Sequence, residues 1–152
     1  MQKSLNALLV AAFMSLPVFA GNFIIQADNP KTNPEAMAKN VVVLARISSC
    51  HSPEKTTVTA TADGIINGKR QTLPLKVIHL SDSGVYAVAH GWPAEGTWTV
   101  TMTATNPDYG KYAASMVVPV AKDTANLASA KTFNHPPTAE EVNSVLGSAA
   151  LR

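Results

Sequence analysis

The chain has few charged residues and no basic cluster. Only 14% of its 152 residues are Asp, Glu, Lys or Arg, and its formal net charge is +2. Nucleic-acid-binding domains concentrate Lys and Arg on one face, because phosphate contacts dominate their affinity. Here Lys69 and Arg70 are adjacent cations beside a predicted turn and belong to no larger group. The composition therefore argues against a nucleic-acid partner.

Sequence motifs for catalysis are also missing. The chain contains no nucleophile elbow, phosphate-binding loop, paired-cysteine zinc motif or His-Glu-x-x-His sequence. Its carboxylates are scattered singly through predicted loops, apart from Glu140 and Glu141 in the C-terminal segment. Glu140 and Glu141 are explained by the dipole of the predicted helix, whose N-terminus favours acidic side chains. The sequence therefore favours a protein that is not an enzyme.

Long hydrophobic runs are absent except near the N-terminus. Lys3 precedes an uncharged, mostly apolar run at 5–16, and Val18 and Ala20 occupy the −3 and −1 positions of a cleavage site. The run is shorter than the roughly 20 residues that a membrane-spanning helix needs. We therefore predict a secretory signal peptide at residues 1–20 and a periplasmic or secreted mature protein without a membrane span. The alternative is an uncleaved N-terminal anchor.

The remaining chain has the length of a single domain. Removal of 20 residues from 152 leaves 132. We expect an N-terminal segment at 21–40, a β-sandwich domain at 41–121 and a C-terminal tail with a short helix at 122–152. In that helix Thr138 is the predicted N-cap, Glu141 completes a capping box and Gly147 is the predicted stop.

Short segments with alternating apolar and polar residues dominate the middle of the chain. The clearest is 97–105, where Trp98, Val100, Met102 and Ala104 form one face and threonines form the other. Strands are predicted at 41–47, 56–62, 64–66, 69–80, 85–92, 97–105 and 112–120. About seven short strands separated by turn residues indicate an all-β fold, an antiparallel β-sandwich. The threonine face is expected to be solvated, because threonine is a good strand former at exposed positions.

One segment of the predicted sandwich resembles a known group of domains. It contains Gly-x-Tyr from Gly84 to Tyr86 and Pro-x-x-Gly-x-Trp from Pro93 to Trp98, followed by the alternating strand. Over residues 56–120 the chain resembles exported immunoglobulin-like β-sandwich domains of the YtkA-like and FixH-like kind. The resemblance implies an immunoglobulin-like fold whose aromatic residues pack in the core. It also implies a place in the bacterial envelope, in some relatives with metal handling or oxidase assembly.

Cys50 is the single cysteine of the chain. In an oxidising compartment it cannot form an internal disulfide, so it is a buried inert thiol, a bridge to another chain, or a reactive or metal-binding thiol. His51 follows it in a predicted loop, and a thiolate with an imidazole suits Cu(I). Cys50 and His51 are therefore the candidate metal ligands, with copper as the candidate cofactor. Met102 and Met116 also carry sulfur, but their alternation places them in the core.

Two further histidines flank a predicted hairpin. A turn centred near residues 82–83 places His79 opposite a residue near Tyr86, so that His90 lies about four residues further along, on the order of 13 Å away. We therefore expect that His79 and His90 do not share a metal ion.

These features favour an exported, non-catalytic accessory or binding module of the bacterial envelope. Its partner is expected to be another envelope protein. The alternative function is a periplasmic copper-handling protein that uses Cys50 and His51.

Overall fold

The computed structural model describes residues 23–49 and 51–150, so the predicted signal peptide and Cys50 lie outside the described residues. The strands are β1 (Ile24–Asp28), β2 (Val41–Ser48), β3 (Thr57–Ile66), β4 (Lys69–Leu75), β5 (Val77–His79), β6 (Val85–Ala89), β7 (Thr97–Thr105), β8 (Ala113–Ala121), β9 (Thr124–Ala125) and β10 (Lys131–Phe133). The α-helices are α1 (Pro34–Ala38) and α2 (Ala139–Ala150). Single 3-10 turns cover Pro30–Thr32, Pro53–Lys55, Pro107–Tyr109 and Leu127–Ser129.

The strands form two antiparallel sheets. Sheet A has the order β1-β2-β6-β5, and sheet B has the order β10-β8-β7-β3-β4, with β9 paired to β8. Sheet A corresponds to strands A, B, E and D of an immunoglobulin domain, and β3, β7 and β8 correspond to C, F and G. The predicted all-β sandwich with a short C-terminal helix is confirmed.

The sandwich extends beyond the segment 41–121 on both sides. β1 pairs with β2 from Ile24 to Asp28, and β10 pairs with β8 from Lys131 to Phe133. Parts of the predicted N-terminal segment and tail therefore belong to the sheets. No helix within the described residues is long and apolar enough to cross a membrane.

The core lies between the sheets and is filled by alternate residues of their strands. β7 and β8 contribute buried side chains from the predicted apolar faces: Trp98, Val100, Met102, Ala104, Ala114, Met116, Val118 and Val120. Both methionines are completely buried among these apolar neighbours, where the flexible thioether fills gaps in the packing. Their predicted core position is confirmed.

Trp98 explains the local sequence around the start of β7. Its Nε1 donates a hydrogen bond to the carbonyl oxygen of Glu95 at 2.8 Å. Its ring lies against Gly64 of the neighbouring strand, where any side chain would collide with the indole. Gly96 has φ +86°, a conformation that glycine adopts without strain. The Pro-x-x-Gly-x-Trp segment therefore serves to pack Trp98 into the core, as expected.

The segment predicted as one strand at 69–80 is divided between the sheets. β4 ends at Leu75 in sheet B, and β5 begins at Val77 in sheet A. The chain crosses from one sheet to the other at Lys76, which an unbroken apolar pattern does not reveal. β4 is the last strand of sheet B, and such an edge position is one in which a strand tolerates a proline such as Pro74.

α1 covers part of the outer face of sheet A. Asn33 caps it, since its side-chain oxygen accepts from the amide of Ala36 at 3.0 Å, and Pro34 occupies the first turn. Ala36 is fully buried against Leu80 and Val85. The outer face of sheet A therefore has a small apolar core of its own.

α2 covers the outer face of sheet B. The predicted capping box is present: Glu141 accepts from the amide of Thr138 at 2.8 Å, and the Thr138 hydroxyl accepts from the amide of Glu141 at 3.3 Å. Val142 and Val145 pack on Val117 of β8. The predicted stop at Gly147 is wrong, because the helix continues to Ala150.

The docking of α2 also corrects the expectation of a solvated threonine face. Thr99 and Thr101 of β7 are buried, because α2 packs across β7 and β8 on that side of the sheet. Thr105, beyond the helix, is exposed as expected. Threonine alternation therefore identified the strand correctly but not the surroundings of its outer face.

Candidate functional site

Two loops and the residue before β1 meet at one end of the sandwich. The loops are residues 49–56, between β2 and β3, and residues 106–112, between β7 and β8. β3 and β7 pair Thr57 with Thr105, which brings the two loops side by side. In immunoglobulin variable domains the corresponding loops carry antigen-binding residues. We call Phe23 and the described residues of these two loops the loop surface.

Asn106 ties the two loops together from beneath. Its side chain is only 1% exposed, and its amide nitrogen donates to the carbonyl oxygens of Ser52 at 2.9 Å and His51 at 3.3 Å. Its side-chain oxygen accepts from the amide of Asp108 at 3.0 Å. The amide nitrogen also lies 3.3 Å from the hydroxyl of Thr56. A buried amide with four partners holds both loops in one arrangement, since leaving such groups unpaired is costly.

Tyr109 links the loops at the surface. Its hydroxyl accepts from the backbone amide of His51 at 3.2 Å and shares a hydrogen bond with Ser49 at 3.2 Å. Its ring stacks on Phe23, with centroids 4.8 Å apart and an interplanar angle of 18°. The ring of His51 approaches it at 5.9 Å. Three aromatic rings from distant parts of the sequence therefore form one cluster.

An ion pair bridges the rim of the loop surface. The ammonium of Lys55 lies 3.0 Å from the carboxylate of Asp108. Hydrogen bonds from Ser52 and Lys55, together with the positive charge of Lys55, lower the pKa of Asp108 below its ordinary value of 3.8. The pair is exposed, so its role is to set the relative position of the loops more than to stabilise the fold.

The outermost part of the loop surface is aromatic and polar. Tyr112 is 64% exposed, the largest value among the exposed large hydrophobic residues that the structure describes. Lys111, its neighbour in the chain, is exposed, and so is His51 on the other loop. These loops contain two tyrosines, two serines, one asparagine and one glycine. The same residue types are enriched in antibody paratopes, where tyrosine supplies a rigid anchor and the small polar residues adapt. The arrangement is suited to contact with another macromolecule.

One of the two predicted metal ligands lies at this same end. His51 is exposed on the loop surface, and Cys50 lies outside the described residues. Among residues 23–49 and 51–150 no group of three or more His, Cys, Asp and Glu side chains is placed to hold a metal ion. The described part of the loop surface therefore offers His51 as a ligand without two further ligands of these types beside it.

The other histidines have partners elsewhere. His79 lies opposite Tyr86 in the β5–β6 ladder, as predicted, and their rings are 4.8 Å apart. The Nδ1 of His90 lies 2.9 Å from a carboxylate oxygen of Asp123, and its ring meets Trp92 edge-on at 4.7 Å. The imidazoles of His79 and His90 therefore contact different residues.

A shallow hollow is formed by His90 and Asp123 with the segment before β2. It has a volume of about 450 Å³ and is also lined by Lys31, Met37 and Val42. This hollow could not be predicted from the sequence, because His90 and Asp123 belong to separate connecting segments that only the folded sandwich brings together.

The sequence also failed to indicate the central residues of the loop surface. Asn106 and Tyr109 lie in a segment that was predicted only as a loop. The available signal was Asn106 followed by Pro107, since asparagine bonds its own backbone two residues on. Nothing in the sequence indicated that Asn106 would also reach the other loop.

Comparisons with known proteins find no match for this chain among protein-family models, curated proteins or solved structures. The resemblance of residues 56–120 to YtkA-like and FixH-like domains therefore stays a prediction. An immunoglobulin-like sandwich carries many unrelated functions, so a function has to be argued from the site.

Proposed function

We propose that this protein is an exported, non-catalytic binding module of the bacterial cell envelope, and that it binds another envelope protein through the loop surface. The observation that carries the proposal is the exposure of Tyr112 on a loop whose base is held by Asn106 and Tyr109. Binding costs less when the contacting loops are ordered beforehand. A fixed loop with an exposed tyrosine meets that condition.

The chemistry of the loop surface favours a protein partner. Protein interfaces combine an aromatic centre with a polar rim. Here Phe23, Tyr109 and Tyr112 supply the aromatic groups, and Lys55 and Asp108 supply charges of both signs at the rim. The envelope assignment rests on the predicted signal peptide at residues 1–20.

The test begins with a photo-reactive amino acid at position 112 in the full chain, expressed in its own host. The cross-linked protein is identified, purified and titrated with the wild type and with Tyr112→Ala. We expect Tyr112→Ala to weaken binding at least about tenfold, or roughly 1.4 kcal/mol, as loss of an interface tyrosine does.

Met37→Ala is the matched control, because Met37 is 53% exposed and belongs to the hollow beside His90. It is expected to bind as the wild type does. Equal affinities for all three proteins, or a failure of position 112 to cross-link any protein, would contradict the proposal.

A second candidate function is copper handling by Cys50 and His51. The observation in its favour is the exposed imidazole of His51 directly after the cysteine. This function requires the purified protein to bind about one Cu(I) and to lose it in Cys50→Ala and in His51→Ala. His79→Ala is the control. Equal copper content in wild type and both variants would exclude it.

A further inference from the structure

A groove lies beside the loop surface, between the two sheets. Residues 23–25 line one wall, at the start of sheet A, and residues 132–135 line the other, at the end of β10 in sheet B. Its volume is about 370 Å³. None of the seven described residues that line it is Asp, Glu, Lys or Arg. These seven residues, which we call the aromatic groove, therefore form an uncharged cleft at the surface.

Phe23 joins the aromatic groove to the loop surface. Its ring stacks on that of Tyr109, with centroids 4.8 Å apart, and the same residue lines the groove. On the opposite wall the ring of Phe133 lies 5.7 Å from that of His135. Ile24, the neighbour of Phe23 in the chain, is 39% exposed. Aromatic and apolar side chains therefore continue from the loops into the groove, so that one partner can contact both.

The size and surroundings of the groove argue against three common modes of peptide recognition. Strand addition needs an open sheet edge, whereas β1 contacts β8 of the other sheet and has residues 132–135 beside it. An α-helix does not fit into 370 Å³, because a single turn about 10–12 Å wide and 5.4 Å long fills roughly 500 Å³. Phosphorylated or acidic motifs are bound by clustered arginines, and no arginine lines the groove.

We propose that the partner bound by the loop surface inserts an extended, proline-rich segment into the aromatic groove. Such segments adopt the polyproline II conformation, which makes no internal hydrogen bonds and needs no sheet edge, and they dock into aromatic-lined grooves. They also place no charge in the cleft, where its desolvation would be costly. This inference rests on the proposed function, because it names the segment through which the same partner contacts this protein.

The polar side chains of the groove suit the backbone of such a segment. Proline has no backbone N–H, so a proline-rich segment presents mainly carbonyl oxygens, which accept hydrogen bonds. Thr132 and Asn134 line the groove and are exposed, and a hydroxyl and an amide can both donate to carbonyls. The segment is already extended before it binds, so little conformational freedom is lost on docking.

The test places a photo-reactive amino acid at position 24 of the full chain, in parallel with position 112, and expresses both in the protein's own host. Mass spectrometry identifies the partner segment attached to each position. We expect both positions to capture one protein, and position 24 to capture it through an uncharged segment that contains prolines. If position 112 captures a protein but position 24 captures none, another protein, or a charged or proline-free segment, this inference is overturned and the proposed function stands. If position 112 captures nothing, both are overturned.

Affinities for the purified partner supply a second measurement. Ile24→Lys brings a charge to the groove and should raise the dissociation constant at least about tenfold. Ile65→Lys is the matched control, because Ile65 is 41% exposed near the far end of β3 from the loop surface. Replacing the captured prolines of the partner by alanine should weaken binding as much, with this protein unaltered. Wild-type affinity in Ile24→Lys or in the altered partner, or an equal loss in both lysine variants, overturns the inference.

Discussion

The carboxylate of Asp63 lies 3.1 Å from the guanidinium of Arg70 and is only 6% exposed. The same carboxylate oxygen accepts from the hydroxyl of Thr72 at 2.6 Å. Arg70 in turn donates to the side-chain oxygen of Asn143 on α2 at 2.6 Å. This chain of contacts connects the outer face of sheet B to the helix that covers it.

Asp63→Ala should therefore destabilise the protein and loosen α2. Removing one partner of a fully buried ion pair costs roughly 3–5 kcal/mol, but the Arg70 head is partly exposed, so we expect about 2 kcal/mol. Urea denaturation gives the loss in the free energy of unfolding, and hydrogen exchange at 139–149 shows the loosened helix.

The control for Asp63→Ala is Lys39→Ala, which breaks the exposed pair of Lys39 with Glu35 at 3.4 Å. That pair should contribute no more than about 0.5 kcal/mol. If the two variants lose the same stability, the buried carboxylate is not what holds α2 to the sheet.

Asn106→Ala should detach the two loops from each other. The substitution leaves the carbonyl oxygens of Ser52 and His51 without their shared donor, so we expect a loss of about 1–3 kcal/mol in the free energy of unfolding. The exposed Asn134 provides the control variant Asn134→Ala. Exchange of amides at 51–56 should accelerate in Asn106→Ala alone, and unchanged exchange there would mean that the amide does not connect the loops.

The strands illustrate what local pattern can predict. β7 was predicted with the bounds that the structure shows, because alternation, β-branched residues and the flanking turns all lie within the strand itself. The same holds for the capping box at Thr138. The burial of Thr101 could not be predicted in this way, because it depends on α2, which follows much later in the chain.

The loop surface shows more directly what a local sequence pattern cannot predict. The sequence placed His51 in a loop correctly, but the contact of His51 with Tyr109 depends on the register that pairs Thr57 with Thr105. A single sequence does not determine that register, because shifting it by two residues preserves the same faces. The residues of such a site become neighbours only once the sheet is assembled.

The ion pair at the loop rim should make stability depend on pH in the acid range. The pKa of Asp108 is lowered in the folded state, mainly by hydrogen bonds from Ser52 and Lys55, so its carboxylate stabilises the fold above the unfolded pKa. That contribution is lost as the pH falls below 3.8 through the folded value. The difference in unfolding free energy between wild type and Asp108→Asn should be constant at neutral pH and shrink on acidification. If this difference in unfolding free energy does not change with pH, Asp108 has the same pKa in the folded and the unfolded state.

Two glycines should respond in opposite directions to alanine. Gly64 lies under the ring of Trp98, so Gly64→Ala forces the indole out of its packed position and should cost at least about 2 kcal/mol, at the upper end for overpacking. Gly147 lies within α2 with no atom near its Cβ position, so Gly147→Ala should stabilise the protein by about 0.5–1 kcal/mol. The near-ultraviolet circular dichroism of tryptophan should change only in Gly64→Ala. Because Gly147 was predicted to end the helix, a loss of stability in Gly147→Ala would mean that the helix ends there after all.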